Sequence, residues 1–322
     1  MIRVSYVVTV YNKAPYLPFL LDGLARQQGG FAREFVFVDD GSSDGSLDAL
    51  RALTATWVDC RVIAQTNAGP SLAMNAGLAA ARGDFVKALD GDDMLTPDAT
   101  QVLLDAISAT SAGLAFGKGG SYRREDGLER ARAAAEGSPQ AGAAEPLADT
   151  LRQCLRRAQT TPSAWLARGE LVRASGGCDP GVLVQDYSLE LRMARLAPFA
   201  RTRATLFLAP ERAPGRMSEH GAQELHDLNL ALANFVAATP ELPPELKRLA
   251  LKRAAGRAWH FARRQGGRGR LSREFAAFLA AHLRFGAADA ARIRATCRVF
   301  RELAPIRLTA LEQARPPLGR SR

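Results

Sequence analysis

Over its first hundred residues the chain alternates short runs of Val, Ile and Phe with longer stretches in which Leu and Ala recur every three or four positions. The apolar runs fall at 5–10, 35–38, 61–64 and 84–88, and the helical patterns at 16–27, 46–57 and 71–81. Strands that alternate with helices build parallel βαβ units, so the expected class is an open α/β layer. Thr96-Pro97 ahead of 98–108 predicts a further helix, with an N-cap and a proline in its first turn. At 322 residues and 47% hydrophobic content there is ample material for a core. The four cysteines, Cys60, Cys154, Cys178 and Cys297, are far apart and form no CxxC pair, which suits a reducing, cytoplasmic compartment. No stretch has the roughly 20 uninterrupted apolar residues of a membrane span.

In such a layer the carboxyl ends of the strands converge on the ligand crevice, and this is where the acids lie. The fourth run leads into Lys87-Ala88-Leu89-Asp90-Gly91-Asp92-Asp93, an oxygen-rich turn of the kind that takes a hard divalent cation, Mg²⁺ or Mn²⁺. An ordinary acidic β-turn has the same composition. The second run ends in Asp39-Asp40-Gly41-Ser42-Ser43-Asp44-Gly45-Ser46. Asp39 is assigned to a ligand, accepting hydrogen bonds from a base or ribose, and Ser46 to capping the next helix.

The segments VTVYNKAPYL, FVFVDDGSSDGS, NAGPSLAMNAGLAAARGDFV and ALDGDD, taken in order, resemble the N-terminal pattern of family 2 glycosyltransferases over about residues 3–98. The resemblance implies a GT-A fold and an inverting, metal-dependent hexosyltransferase using a nucleotide-diphosphate sugar. It implies that Thr9, Tyr11, Asp39, Asn67 and Asp90 contact the nucleotide or donor and that Asp92 and Asp93 face the metal. Met74 stands where many relatives carry Arg, which weakens a phosphate contact from that helix. Further on, SGGCDP and VQDYSLELR resemble the acceptor-side stretch, so Asp186 is the expected general base, with Gln185 in the place of a more usual Glu. Capping of a helix at 187–196 is the alternative role for Asp186. The PERAPGRMS loop resembles one that closes over the donor diphosphate, through Arg212 and Arg216.

Two domains are expected: a GT-A domain at 1–220, with a nucleotide-sugar half at about 1–115 and an acceptor half at about 116–220, then a basic helical region at 221–322. The Ala-, Gly- and Pro-rich stretch 130–145 reads as a loop or insertion. Residues 1–245 carry 24 Lys and Arg against 29 Asp and Glu, net −5, whereas residues 246–322 carry 19 against 4, net +15. The basic end, helical at 246–264, 272–285 and 289–303, can meet polyanions or lie on an anionic membrane face as an amphipathic surface. A peripheral, cytoplasmic enzyme acting on saccharide or lipid-linked acceptors in polysaccharide or glycolipid assembly is the resulting expectation. A non-catalytic homologue or a nucleic-acid-binding protein would share the charge, but the sequence has no nucleic-acid-recognition module. A GxGxxG phosphate cradle, which a dinucleotide enzyme needs, is also missing after the first strand.

Overall fold

A computed structural model of the protein describes residues 1–137, 143–212 and 221–314. They form two compact units: Met1–Thr150, Thr160–Cys178 and Met193–Pro214 in the first, Leu151–Gln159, Asp179–Arg192 and Gly215–Arg322 in the second.

The first unit holds one sheet. Its strands are β1 (Arg3–Val10), β2 (Ala32–Asp39), β3 (Cys60–Ala64), β4 (Phe85–Asp90), β5 (Met94–Leu95), β6 (Leu114–Tyr122), β7 (Glu145–Pro146), β8 (Trp165–Arg168) and β9 (Phe199–Pro210). The order is β3-β2-β1-β4-β8-β6-β9-β5, with β7 also on β9. The β3-β2-β1-β4 half is wholly parallel. Beyond it β8 runs antiparallel to both β4 and β6, while β6 and β9 are parallel across a register shift near Lys118. Covered on both faces, β1 is buried continuously rather than in alternation: Val4, Ser5, Tyr6, Val7, Val8 and Val10 are all fully buried.

The helices, in chain order, are α1 (Leu17–Ala25), α2 (Ser46–Leu53), α3 (Pro70–Ala80), α4 (Ala99–Thr110), α5 (Leu128–Glu136), α6 (Thr150–Arg156), α7 (Gly169–Ser175), α8 (Gln185–Leu196), α9 (Gly221–Ala238), α10 (Pro244–Gly266), α11 (Arg273–His282), α12 (Ala290–Ala295), α13 (Arg298–Leu303) and α14 (Ala310–Gln313). Against the sheet, α3 lies so close that a β-carbon on its Gly77 would collide with Val7 and press on Val38.

Three local expectations are corrected. Ser46 is not a cap: it is the first residue of α2, and the Asp44 carboxylate accepts from its N–H at 3.0 Å, leaving the Ser46 hydroxyl to accept from Lys13 N–H at 2.8 Å. Thr96 and Pro97 precede α4 without capping it, since Thr96 Oγ1 donates to the carbonyls of Thr205 and Leu206 and so ties this turn to β9. Much of the predicted loop at 130–145 is α5, whose Ala131 and Ala135, one turn apart, are buried beside Tyr16, Phe19 and Tyr122. Residues 138–142 of that stretch lie outside the described set.

In the second unit α9 and α10 pack with α12 and α13 around Ala258, Phe261, Ala262, Val299 and Phe300. Asn229 of α9 donates to Ala254 O and to Thr296 Oγ1, joining three segments through one buried amide. Of the large apolar residues of α10, Leu246, Leu251, Trp259 and Phe261 are buried within the protein and Leu249 is half-buried. No described helix is long and apolar enough to cross a membrane.

Candidate active site

The parallel half of the sheet sets the site's geometry. Register pairs Thr9 with Asp90 and Val10 with Asp39, so Thr9, Asp39 and Asp90 lie side by side along the carboxyl edge of β2, β1 and β4. Tyr11 follows, half exposed, on a turn whose Asn12 takes φ 53° and accepts from Ser43 N–H.

The adjacent aspartates at the end of β2 divide two tasks. Asp40 is consumed by the neighbouring loop: its carboxylate accepts from Gln65 Nε2 and from the backbone N–H groups of Ala68 and Gly69, and its carbonyl accepts from Asn67 Nδ2 at 3.0 Å. Gly41 makes this possible, at φ +75° and with Asn67 N only 2.7 Å from where a β-carbon would sit. Asp39 is 1% exposed; one oxygen accepts from Ser42 N–H at 3.0 Å, and the other is buried with no hydrogen-bond partner among the described residues. A carboxylate oxygen left in that condition costs on the order of 1–3 kcal/mol or more until a donor reaches it.

Asp92 and Asp93 are buried and Asp90 is half-buried. Lys13 Nζ stands 2.7 Å from Asp92 Oδ2, and the Tyr122 hydroxyl donates to Asp92 O at 2.9 Å, fixing the turn from two sides. Below lies Lys87, wholly enclosed, its ammonium donating to Ser163 O at 2.6 Å and Ala88 O at 3.2 Å while Ser163 Oγ accepts from Asp90 N–H. Burial pulls the Lys87 ammonium down to about 7, against the opposing pull of Asp93 and Asp90. Among the described residues no group of three or more His, Cys, Asp or Glu side chains makes a cage for a metal. A Mg²⁺-like ion that takes one or two carboxylates and completes its shell with phosphate oxygens and water demands less, and Asp92 with Asp93 fits that donor set.

Arg212, just past β9, is exposed, and its carbonyl accepts from the Tyr16 hydroxyl at 3.3 Å. Tyr16 in turn lies under Lys13, 5.7 Å from ring centre to Nζ, which brings the Arg212 backbone near the Lys13–Asp92 pair. Arg216 lies outside the described residues. Met74 is 1% exposed and belongs to the core. Its neighbour Asn75 clamps the GGCD turn through both Cys178 N–H and Cys178 O, at 2.7 and 3.0 Å.

Asp186 belongs to the second unit. It is the second residue of α8 rather than its cap, half-buried, with one oxygen accepting from Tyr187 N–H at 2.7 Å. Desolvation, and secondarily the charge of Glu224, push its carboxyl up to about 6, the range in which a carboxylate takes a proton effectively near neutrality. The segment ahead of it is anchored by Asp227, whose carboxylate accepts from Leu183 and Val184 N–H and from the His226 ring at 2.7 Å. The other His226 nitrogen accepts from Arg301 Nε, which fixes the tautomer. Tyr187 is fully buried, its hydroxyl donating to Cys154 O.

Lys13, Lys87, Asn75, Ser163 and Tyr122 were not singled out from sequence. Their partners lie tens of residues away, 79 positions for Lys13–Asp92 and 76 for Lys87–Ser163, so no local pattern marks them.

Both the sequence and the fold have counterparts among known proteins. The family description Glycosyl transferase family 2 matches residues 5–160. The uncharacterized glycosyltransferase EpsJ of Bacillus subtilis is 36% identical over 129 residues, covering 38% of this chain and 36% of EpsJ. The succinoglycan biosynthesis protein ExoO of Rhizobium meliloti is 36% identical over 115 residues, 35% of this chain and 32% of its own length. The chain thus matches about a third of the length of these relatives. In fold the likeness is wider: the crystal structure of S. aureus TarS 1–349 with UDP-GlcNAc covers 93% of this chain and 87% of its own, with a TM-score of 0.62 at 19% identity. The mannosyltransferase PcManGT of Pyrobaculum calidifontis, solved with GDP-Man and Mn²⁺, has a TM-score of 0.52 at 19% identity over 94% of this chain and 86% of its own. With the four segments of the sequence, the register at the strand ends and these matches in agreement, the chain has a GT-A fold, and its residues 5–160 match glycosyl transferase family 2.

Proposed function

We propose that the protein is an inverting glycosyltransferase that moves a sugar, of hexose type, from a nucleoside-diphosphate donor to an acceptor hydroxyl in polysaccharide or glycolipid assembly. The observation that carries the reading is the buried, unpartnered oxygen of Asp39 on the strand edge shared with Thr9 and Asp90. A base N–H or a ribose hydroxyl supplies the missing donor. Tyr11, Asn67, Arg212 and Arg216 complete the donor's surroundings, the arginines by forking onto phosphate oxygens. Asp92 and Asp93 would hold a divalent cation, which would offset the charge gathering on the leaving diphosphate. Asp186 takes the acceptor's hydroxyl proton as that oxygen bonds to the anomeric carbon and the bond to the diphosphate breaks, which inverts the centre. The relative named for succinoglycan biosynthesis and the structure solved with UDP-GlcNAc support the substrate class, and a cytoplasmic location belongs to the same proposal.

Calorimetric titration with UDP, GDP and dTDP, with and without Mn²⁺, tests the donor site. One nucleotide is expected to bind, with its affinity falling on the order of ten- to a hundredfold in Asp39→Asn, as for the loss of one charge-assisted hydrogen bond. Equal affinity in the variant removes Asp39 from the site, and no binding by any nucleotide leaves a non-catalytic homologue.

A further inference from the structure

Many arginines of the second unit are matched by acids within it. Arg268 and Arg273 hold Glu274 and Glu302, Arg298 joins them at Glu302, and Arg294 and Arg301 meet on Glu312. A second set is not matched. Arg156 and Arg157 at the end of α6, with Lys252, Arg253, Arg257 and Arg264 of α10, line a cavity of about 1420 Å³, and Glu224 is its one acid among the described residues.

On α10 the positions 253, 257 and 264 repeat at helical spacing, so these side chains share one face. Gly256 interrupts that face and leaves open space where a β-carbon would stand. Among the described residues the side chains of Arg156, Arg157, Lys252, Arg253 and Arg264 have no ion pair or hydrogen bond. Arg257 meets Asn229 Oδ1 at 3.3 Å and stands over the Tyr187 ring at 5.8 Å, which brings the cavity wall beside the residue that follows Asp186. Burial and the like charge of Arg257 both hold the Arg253 guanidinium below its usual range.

Six cations facing one acid repel each other unless an anion of several charges joins them. Guanidinium forks match phosphate oxygens in pairs. The volume exceeds the roughly 300–1,000 Å³ of a small-molecule pocket, so it suits a chain segment better than a single ion. The lining comes from several helices and is concave, which suits a chain that enters and not the plane of a bilayer.

We propose that this cavity binds a stretch of the acceptor carrying two or more phosphate groups. The link to the acceptor rests on Asp186 being the base; the phosphate site itself does not.

The test is calorimetric titration of the full chain with inorganic tripolyphosphate, for the native protein, for the triple variant Lys252→Gln/Arg253→Gln/Arg264→Gln, and for Asp186→Asn. The three substituted side chains hold nothing else, and thermal unfolding checks that the variant folds. Affinity for tripolyphosphate is expected to fall about tenfold or more in the triple variant, with nucleotide binding unchanged, and to survive in Asp186→Asn. Equal binding by the native and triple-variant proteins, or none by the native protein, overturns the proposal. So does binding confined to phosphatidylglycerol vesicles, which would make the basic face a membrane contact. A failed base shows separately, as retained transfer by Asp186→Asn.

Discussion

Lys87 gives the most quantitative handle on the site's floor. Its ammonium is enclosed, and its proton affinity in the folded chain corresponds to about 7 against the ordinary 10.5. At about 1.4 kcal/mol per pH unit this difference is worth about 5 kcal/mol, a large fraction of a typical domain's stability. The sign follows from proton counting. Between pH 7 and 10.5 the unfolded chain holds the lysine proton and the folded chain has released it, so stability rises with pH across that window. From about pH 6 to about pH 10 the gain from this group is about 4 kcal/mol. Replacement by methionine keeps the stem's packing and removes the titration, although it leaves the Ser163 carbonyl without its 2.6 Å donor, at about 1–3 kcal/mol. Absolute stability at any one pH therefore mixes two opposing effects, and the informative quantity is the slope. Urea unfolding at stepped pH should show native stability rising relative to Lys87→Met by several kcal/mol between neutral and alkaline pH. Parallel curves for the two proteins would mean that the lysine is not held as argued, or that water reaches it.

Three other outcomes follow from the geometry. A base at about 6 gives a kcat/KM that rises with pH through that value and then levels; Asp186→Asn should lower it on the order of 10²–10⁴-fold, and Glu224→Gln should move the limb to lower pH because the charge that raises Asp186 is gone. Asn75→Ala removes both bonds to Cys178 and should cost about 2–3 kcal/mol in chemical denaturation with a near-normal denaturant slope. Chelation by EDTA should abolish transfer and leave the thermal midpoint of the ligand-free protein unmoved, since the described residues make no cage that a metal must brace; persistent activity after chelation would remove the cation from the reaction.

The parallel half of the sheet was legible because its strands are compact, largely apolar runs leading into an acid or a turn, with β1, β2 and β4 buried on both faces and β3 at the partly exposed edge. The other half was not. β6 reads LAFGKGGSY, where three glycines blur the pattern, and β8 is a four-residue strand inserted antiparallel between β4 and β6, an order that no local signal encodes. The helix α5 escaped notice because its buried face is only alanine. Thr96 and Ser46 have the composition of caps, yet tertiary partners claimed both hydroxyls. At the candidate site, the positions of Asp39 and Asp90 at strand ends and of Asp92 just beyond could be read, because strand ends are where an α/β sheet gathers function. The lysines that balance them could not, because electrostatic partners are chosen in space and leave no period along the chain.

The Lys13–Asp92 pair means that the acidic edge carries its own counter-ion. A diphosphate approaching an uncompensated row of carboxylates would meet repulsion; here an ammonium is already stationed at the buried acid, on a flexible stem. On the proposed reading, donor binding would be an exchange of partners, with the lysine turning from carboxylate to phosphate and vacating an acid oxygen as it does. Such an exchange conserves most of the local charge balance, so donor affinity should depend only weakly on ionic strength, in contrast to the steep dependence expected of the unmatched cationic cavity in the second unit.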